Sequence, residues 1–247
     1  PISYVTIFMG SDSVSKDDES REIWRSLGVK DIREEGMNDV FWGPTGTAGP
    51  CGPTTEIYCR NNEGRDVEVW NIVFNQFFYP GSRDELLKGN KDKKLEQLET
   101  PGIDTGAGFE RLATITQGVS SVYETDLFRE LIAVIADHHT IPERTQRIIA
   151  DHLRASIFLI ADGVRPSNKE AGYILRRLLR RVMTYQTMYD VHDNLLAMAY
   201  EIMKAKFGEI YPEINNSIIL VVMEEERDKY QNATAVGLDA LNRIIWS

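Results

Sequence analysis

The chain is short of cysteine, of long apolar runs and of positive charge, and each shortage closes off a class of protein. Two cysteines, Cys51 and Cys59, make neither a disulfide framework nor a recognisable metal motif. A reduced, cytoplasmic setting is the expectation. No apolar run approaches the roughly 20 residues that span a bilayer, so no membrane partner is expected. Pro1-Ile2-Ser3-Tyr4-Val5 carries neither a basic stretch nor a long apolar one, so no secretory signal is expected there. The lack of an initiator methionine predicts a piece of a longer protein. With 28 basic against 38 acidic residues the net charge is -10, which argues against non-specific nucleic-acid binding by the whole surface. Internal repeats and low-complexity tracts are also missing.

What is present is enough for one large domain or two moderate ones: 247 residues, 42% hydrophobic and 27% charged. Residues 2–9 read as a strand. Ser15 or Asp17 can cap a helix over about 18–27, ended by Gly28. Residues 30–40 read as a polar connection, and the charged stretch 82–97 as an exposed, mobile insertion without chemistry. From about residue 126 the pattern turns helical over 126–139, 144–161, 168–188, 191–207 and 213–245, so a domain boundary is expected near residue 128. Between Glu143 and Gln186 nine Arg and Lys stand against four acids, one basic face on an acidic chain.

Two glycine-rich pieces carry the chemistry. Residues 43–53, Gly-Pro-Thr-Gly-Thr-Ala-Gly-Pro-Cys-Gly-Pro, hold four glycines and three prolines, a composition that predicts a stiff shaped loop and no inner strand. Residues 66–78 alternate bulky apolar residues with Glu68, Asn71, Asn75 and Gln76, as in a sheet floor with polar groups aimed into a cavity. The second piece, Asp104-Thr-Gly-Ala-Gly-Phe-Glu-Arg111, reads as a short buried strand at Ile103, a glycine turn and a helix from Phe109. It brings a carboxylate, a bare backbone shelf and a guanidinium to one spot.

Together these pieces resemble the alanyl-tRNA synthetases, a family of class II aminoacyl-tRNA synthetases. The carriers are Phe41-Trp42-Gly43, Gly49-Pro50-Cys51-Gly52-Pro53, Val69-Trp70-Asn71-Ile72-Val73-Phe74 and Asp104 to Arg111, the last similar to the family's motif 3. Asp151-His152-Leu153-Arg154, Arg165-Pro166-Ser167-Asn168 and Gly172-Tyr173-Ile174-Leu175-Arg176-Arg177-Leu178-Leu179-Arg180-Arg181 resemble its tRNA-recognition helices. The resemblance implies an α+β fold. Residues 1–128 would be the C-terminal part of an antiparallel-sheet aminoacylation core, and residues 129–247 an all-helical domain for the tRNA(Ala) acceptor stem.

The implied activity is ATP-dependent formation of alanyl-adenylate and transfer to tRNA, with Mg2+ accompanying ATP and no metal site of the protein's own. Arg111 would meet the γ-phosphate, and Gly106 and Gly108 would let adenine lie on the backbone. Asp104 would bind the α-ammonium of alanine, helped by Asn71, with Trp42, Val73 and Gly106 shaping a pocket for one methyl. Glu56, Glu68 and Gln76 stay open between ligand and neighbouring strands. Asn168, Arg176, Arg177, Arg180 and Arg181 would contact tRNA. His138, His139, His152 and His192 have no catalytic task, because the chemistry needs positioning and charge stabilisation rather than a base.

The family's motifs 1 and 2 are expected to precede Pro1, on a complementing N-terminal segment or chain, so this stretch alone is expected to be inactive. Ala171 replaces an arginine usual in relatives, which weakens one RNA contact. A reading of another class, a catalytically silent RNA- or nucleotide-binding module, would not need Asp104, Asn71 and Arg111.

Overall fold

The computed structural model describes residues 1–138 and 140–245, so the expectation about His139 lies outside the described residues. Contacts divide the chain into two compact units, Pro1–Thr125 and Asp126–Ser247. Among the described residues no helix is long and apolar enough to cross a membrane.

The first unit is built on β-branched and aromatic runs that favour a pleated surface. Its strands are β1 (Ile2–Phe8), β2 (Ile32–Glu35), β3 (Phe41–Trp42), β4 (Gly49–Arg60), β5 (Asp66–Tyr79) and β6 (Glu96–Ala107). They lie in the order β2-β1-β4-β5-β6, with β3 paired to β4 off that path. All pairs are antiparallel except β1 with β2. The α+β expectation therefore holds, with a mixed rather than purely antiparallel sheet. Helix α1 (Asp18–Ser26) starts where Asp17 accepts the Ser20 amide at 3.0 Å, and Gly28 follows it with φ +85°.

Four local expectations need correction. The polar connection 30–40 contains β2, whose Ile-Arg-Glu-Glu sequence conceals an edge strand that pairs through its backbone. The glycine–proline loop gives up its second half to β4: Gly49, Pro50 and Cys51 pair with Tyr79, Phe78 and Phe77. Gly52 and Pro53 fall in the break of the β4–β5 register between Cys51 and Thr54, where the missing N–H of Pro53 is not needed by β5, and they pair with Trp42 and Phe41 of β3 instead. A Cβ on Gly52 would overlap the Phe74 carbonyl, so this glycine serves close approach of two strands rather than loop freedom.

The segment 82–97 is not a free excursion. Ser82 and Glu85 form a capping box on α2 (Arg83–Leu87), and Lys93 pairs with Glu85 at 2.7 Å. Leu86 and Leu95 pack on the core of Phe8, Val40, Phe41, Cys51 and Tyr79. The Arg83 guanidinium donates to the carbonyls of Phe41, Gly43 (3.3 Å) and Asn38 (3.2 Å), tying the approach to β3. Finally, β6 is exposed rather than buried, and Ile103 is 71% accessible. It ends the described sheet, with only β5 beside it.

The second unit is helical: α4 (Arg129–Ala136), α5 (Glu143–Ala161), α6 (Glu170–Met188), α7 (Leu195–Phe207) and α8 (Ile218–Ile245). Each buries a stripe at helical spacing, Ile149, Leu153, Ile157 and Ile160 on α5 and Leu175, Leu179, Val182 and Met183 on α6. Each such side chain is worth about 1.5–3 kcal/mol by burial.

Gly52→Ala should destabilise the first unit by about 3 kcal/mol or more, at or above the top of the usual overpacking range, because the obstacle is backbone. Gly102→Ala, with nothing within 4 Å of the added Cβ, should change stability by less than about 1 kcal/mol. Urea denaturation of the two variants checks the contrast.

Candidate functional site

The register of β4, β5 and β6 decides which side chains share a face. Glu56 pairs with Asn71 and Asn71 with Gly106, while Thr54 pairs with Val73 and Val73 with Asp104. Residues opposite one another in a ladder point the same way, as do residues two apart along a strand. One face therefore carries Glu56, Asn71 and Gly106 in one row and Thr54, Val73 and Asp104 in the next. Trp42 pairs with Gly52, two residues before Thr54, at the margin of the same region.

Glu68 would point away, but the ladder shifts: Ile57 pairs with Trp70 and Tyr58 with Glu68, leaving Val69 as an extra residue. This bulge turns Glu68 onto the face of Asn71. Arg111, on α3 (Phe109–Thr116), donates from Nη1 to the Glu68 carbonyl at 3.0 Å and to its carboxylate at 3.3 Å. The Gly108 amide donates to the Val69 carbonyl at 3.0 Å and fixes the start of α3 against the bulge. A Cβ at Gly108 would press on the Arg111 stem, whereas one at Gly106 would meet nothing within 4 Å. The strand runs through Gly106 to Ala107, so the expected glycine turn is a strand-to-helix junction with an open shelf beside it.

Polarity on this face is concentrated around Glu56. It is 8% accessible and accepts from Tyr58 Oη at 2.9 Å, Asn71 Nδ2 at 3.2 Å and Thr6 Oγ1 at 3.4 Å. Burial raises its carboxyl pKa, partly offset by the Tyr58 hydrogen bond. The Asn71 and Asn75 side-chain oxygens are buried without a hydrogen-bond partner among the described residues. A buried acceptor of this kind has the capacity to take a further donor. Val73 is buried and Trp42 half-buried, while Asp104 and Gly106 are exposed. Gln76 sits in the register break between Asn75 and Phe77 and lines a separate pocket with Lys16 and Gln97. Tyr58 and Thr6 were not legible as part of this network. Cys51, buried in the core with its thiol pushed up to about 11, is unsuited to nucleophilic work.

The second candidate site lies on α6. Its four arginines divide into two pairs instead of sharing one role. Arg177 and Arg181 are exposed and pair with no carboxylate among the described residues. Arg176 and Arg180, one turn apart, reach Glu226 of α8, at 3.5 and 2.7 Å from their Nε atoms. Arg176 Nη1 also donates to Asn168 Oδ1. Asn168 and all four arginines line a groove of about 860 Å³ together with Tyr173, Tyr185 and Met188. The loop carrying Asn168 is held where the Ser167 amide donates to the Gly172 carbonyl at 3.0 Å. A side chain on Gly172 would strike Ser167. Glu226 escaped the sequence reading, although its signal is there: it continues the Ile219, Val222, Met223 stripe at helical spacing.

Among known proteins, the family model described as tRNA synthetases class II (A) matches residues 4–247. The chain is 34% identical to the alanine–tRNA ligase of Petrotoga mobilis over 93% of its own length and 28% of that protein. For the alanine–tRNA ligase of Fervidobacterium nodosum the identity is 37%, over 93% of this chain and 28% of the relative. For that of Nitrosococcus oceani it is 35%, over 98% and 28%. The chain thus spans less than a third of the length of these curated relatives.

The raised pKa of Glu56 fixes the sign of a pH effect. The unfolded chain ionises at an ordinary carboxyl pKa, while the folded one retains the proton to higher pH. Folding therefore loses stability as pH rises through the interval between the two values, and regains it on acidification. Glu56→Gln should flatten that limb of a plot of unfolding free energy against pH, measured by denaturant titration. A limb of unchanged slope would assign it to other groups.

Proposed function

This chain belongs to the class II (A) family of tRNA synthetases, and from that premise we propose that it forms part of an alanine–tRNA ligase. Its first unit would hold alanine and ATP during adenylate formation, and its second would hold the tRNA(Ala) acceptor stem. The observation that carries the first part is the orphan oxygen of Asn71, buried in the same row as the open Gly106 shelf and one row from Asp104. A small zwitterion supplies what this face lacks. Its ammonium donates to Asn71 Oδ1 and is balanced by Asp104, and its methyl meets Val73 and Trp42.

In the proposed reaction the alanine carboxylate forms an O–P bond to the α-phosphorus of ATP and pyrophosphate leaves. The terminal tRNA hydroxyl then attacks the adenylate carbonyl and AMP leaves. Arg111 suits the γ-phosphate because its planar fork gives paired, charge-assisted bonds. Its present partner is weakly held: Arg111 is 52% and Glu68 33% accessible, and exposed pairs contribute about 0–1 kcal/mol. Phosphate can therefore displace Glu68. The described residues contain no cluster of three or more His, Cys, Asp or Glu able to hold a metal. In the proposed reaction Mg2+ would arrive with the nucleotide, whose phosphate charge it would neutralise. A complementing N-terminal segment or chain, supplying a cation for the α-phosphate, belongs to the same proposal. A cytoplasmic location accords with it.

The test is calorimetric binding of a non-hydrolysable alanyl-adenylate analogue to the protein that contains this chain. Asp104→Asn keeps shape and removes the charge facing the ammonium. It should cost about 2–5 kcal/mol, roughly 30- to 4,000-fold in affinity. Unchanged affinity would remove Asp104 from the pocket, and no binding by the wild type would sink the ligase reading.

For the RNA part, the resemblance to the alanyl-tRNA synthetases implies that Asn168 helps read a G·U wobble pair near the end of the acceptor stem, so Asn168→Ala should lower the preference for a G·U over a G·C acceptor minihelix. Arg177→Ala or Arg181→Ala should weaken both stems alike and flatten the salt dependence by about one unit of slope. Equal G·U to G·C ratios in wild type and Asn168→Ala would exclude Asn168 as a reader.

A further inference from the structure

Glu226 is 1% accessible, and a carboxylate so deeply buried persists only when it is paired. Its partners are two arginines of α6 one turn apart, both facing the single oxygen Oε1: Arg180 Nε donates to it at 2.7 Å, while Arg176 Nε stands 3.5 Å away as an ion pair without a hydrogen bond. Its other oxygen, Oε2, is buried without a hydrogen-bond partner among the described residues. The connection does not stop at Arg176. The same guanidinium that reaches Glu226 through Nε reaches Asn168 through Nη1, so α8, α6 and the loop before α6 are joined by one side chain.

The chemistry of this chain of contacts fixes an orientation. A guanidinium has five donors and no acceptor, so the atom of Asn168 that meets Arg176 must be the carbonyl oxygen Oδ1. The amide nitrogen Nδ2 is thereby turned away from Arg176, as a donor. The groove that Asn168 shares with the four arginines is where it can be used.

We infer that Glu226 is a positioning residue for RNA recognition: by anchoring Arg176 it holds Asn168 as a hydrogen-bond donor, and by pairing Arg180 it withholds both arginines from free phosphate binding. The inference rests on the reading of α6 as the acceptor-stem face. It adds that the four arginines are not equivalent. Arg177 and Arg181 supply charge to the RNA backbone, whereas Arg176 and Arg180 are committed to an internal carboxylate. A side chain that merely pinned α8 to α6 would support every RNA equally. A positioning device supports the right base pair more than the wrong one.

The experiment measures binding of matched G·U and G·C acceptor-stem minihelices to the protein that contains this chain across a salt series, for wild type, Glu226→Gln and Arg176→Lys. Thermal denaturation of each confirms folding. Glu226→Gln keeps volume and removes the charge, so Arg176 and Arg180 are released. The G·U to G·C ratio should fall at least three-fold, and the log–log salt slope should steepen by up to about one unit per released arginine, since each can then displace a counterion. Arg176→Lys retains a cation but loses the fork that spans Glu226 and Asn168, and the ratio should fall again.

Equal weakening of both stems by Glu226→Gln, with no change in slope, would reduce Glu226 to a packing contact and overturn the inference. So would an unchanged ratio in both variants. Should Glu226→Gln fail to fold, Arg176→Lys decides alone. If wild type binds both stems equally, the assignment of Asn168 as reader fails and takes this inference with it. Discrimination by wild type that survives in the variants sinks the inference only.

Discussion

The ladder register of β5 with its two neighbours is the constraint on which the first unit depends. Asn71 meets Glu56 on one side and Gly106 on the other, and a slip of β5 by one residue would turn Asn71 to the face opposite both. Three local features hold the register. Gly52 lets β4 approach the Phe74 carbonyl where any side chain would prevent it. The extra residue at Val69 re-aims Glu68 towards Arg111. Arg83 ties the approach to β3 from a segment that looks, by composition, like solvent-exposed filler. None of the three touches the proposed substrate. Each decides where the groups that would touch it point.

The second unit obeys a different rule, because its site is made by what lies beneath it. Apolar stripes set the packing of α5, α6 and α8, and within the α8 stripe one position is Glu226. A carboxylate there is costly to bury and is tolerated only with cations beside it. Arg176 and Arg180 are the two residues of α6 at the right spacing and on the right side, one turn apart. The inward pair leaves Arg177 and Arg181 outward. One helix thus presents two kinds of arginine, distinguished by a residue some fifty positions later.

How much of this was legible follows from how local each feature is. Helices with clear caps and stripes, such as α1 behind Asp17 and α5 with Ile149, Leu153 and Ile157, are written in neighbouring residues. The motif residues Asp104, Gly106 and Arg111 were legible as a group because they lie within eight positions. Features that depend on distant partners were not. Gly49 to Pro53 has the composition of a loop, and only the flanking strands make it part of β4. The polar run Ile32–Glu35 becomes a strand because β1 offers it a backbone to pair with. Ile103 looks buried by type but lies on the last described strand, where only one neighbour covers it. The arginines of α6 could be counted from the sequence, but their division into two pairs required Glu226.

Under the proposed RNA-binding reading, that division also bears on how an acidic protein would discriminate between RNAs. Unpaired cations on a helix face bind any phosphate backbone and carry no information about bases. Adding such cations raises affinity for right and wrong partners together, so the ratio between them does not improve. Tying two of four arginines to a buried carboxylate lowers the sequence-independent attraction. It also converts one of them into a support for Asn168, the side chain suited to a base edge. The net charge of -10 acts in the same direction over the rest of the chain, opposing contacts outside the groove. On the proposed reading, selectivity would rest on a rigid amide backed by a guanidinium and a buried carboxylate, and Arg177 and Arg181 would set how tightly, rather than which, RNA is held.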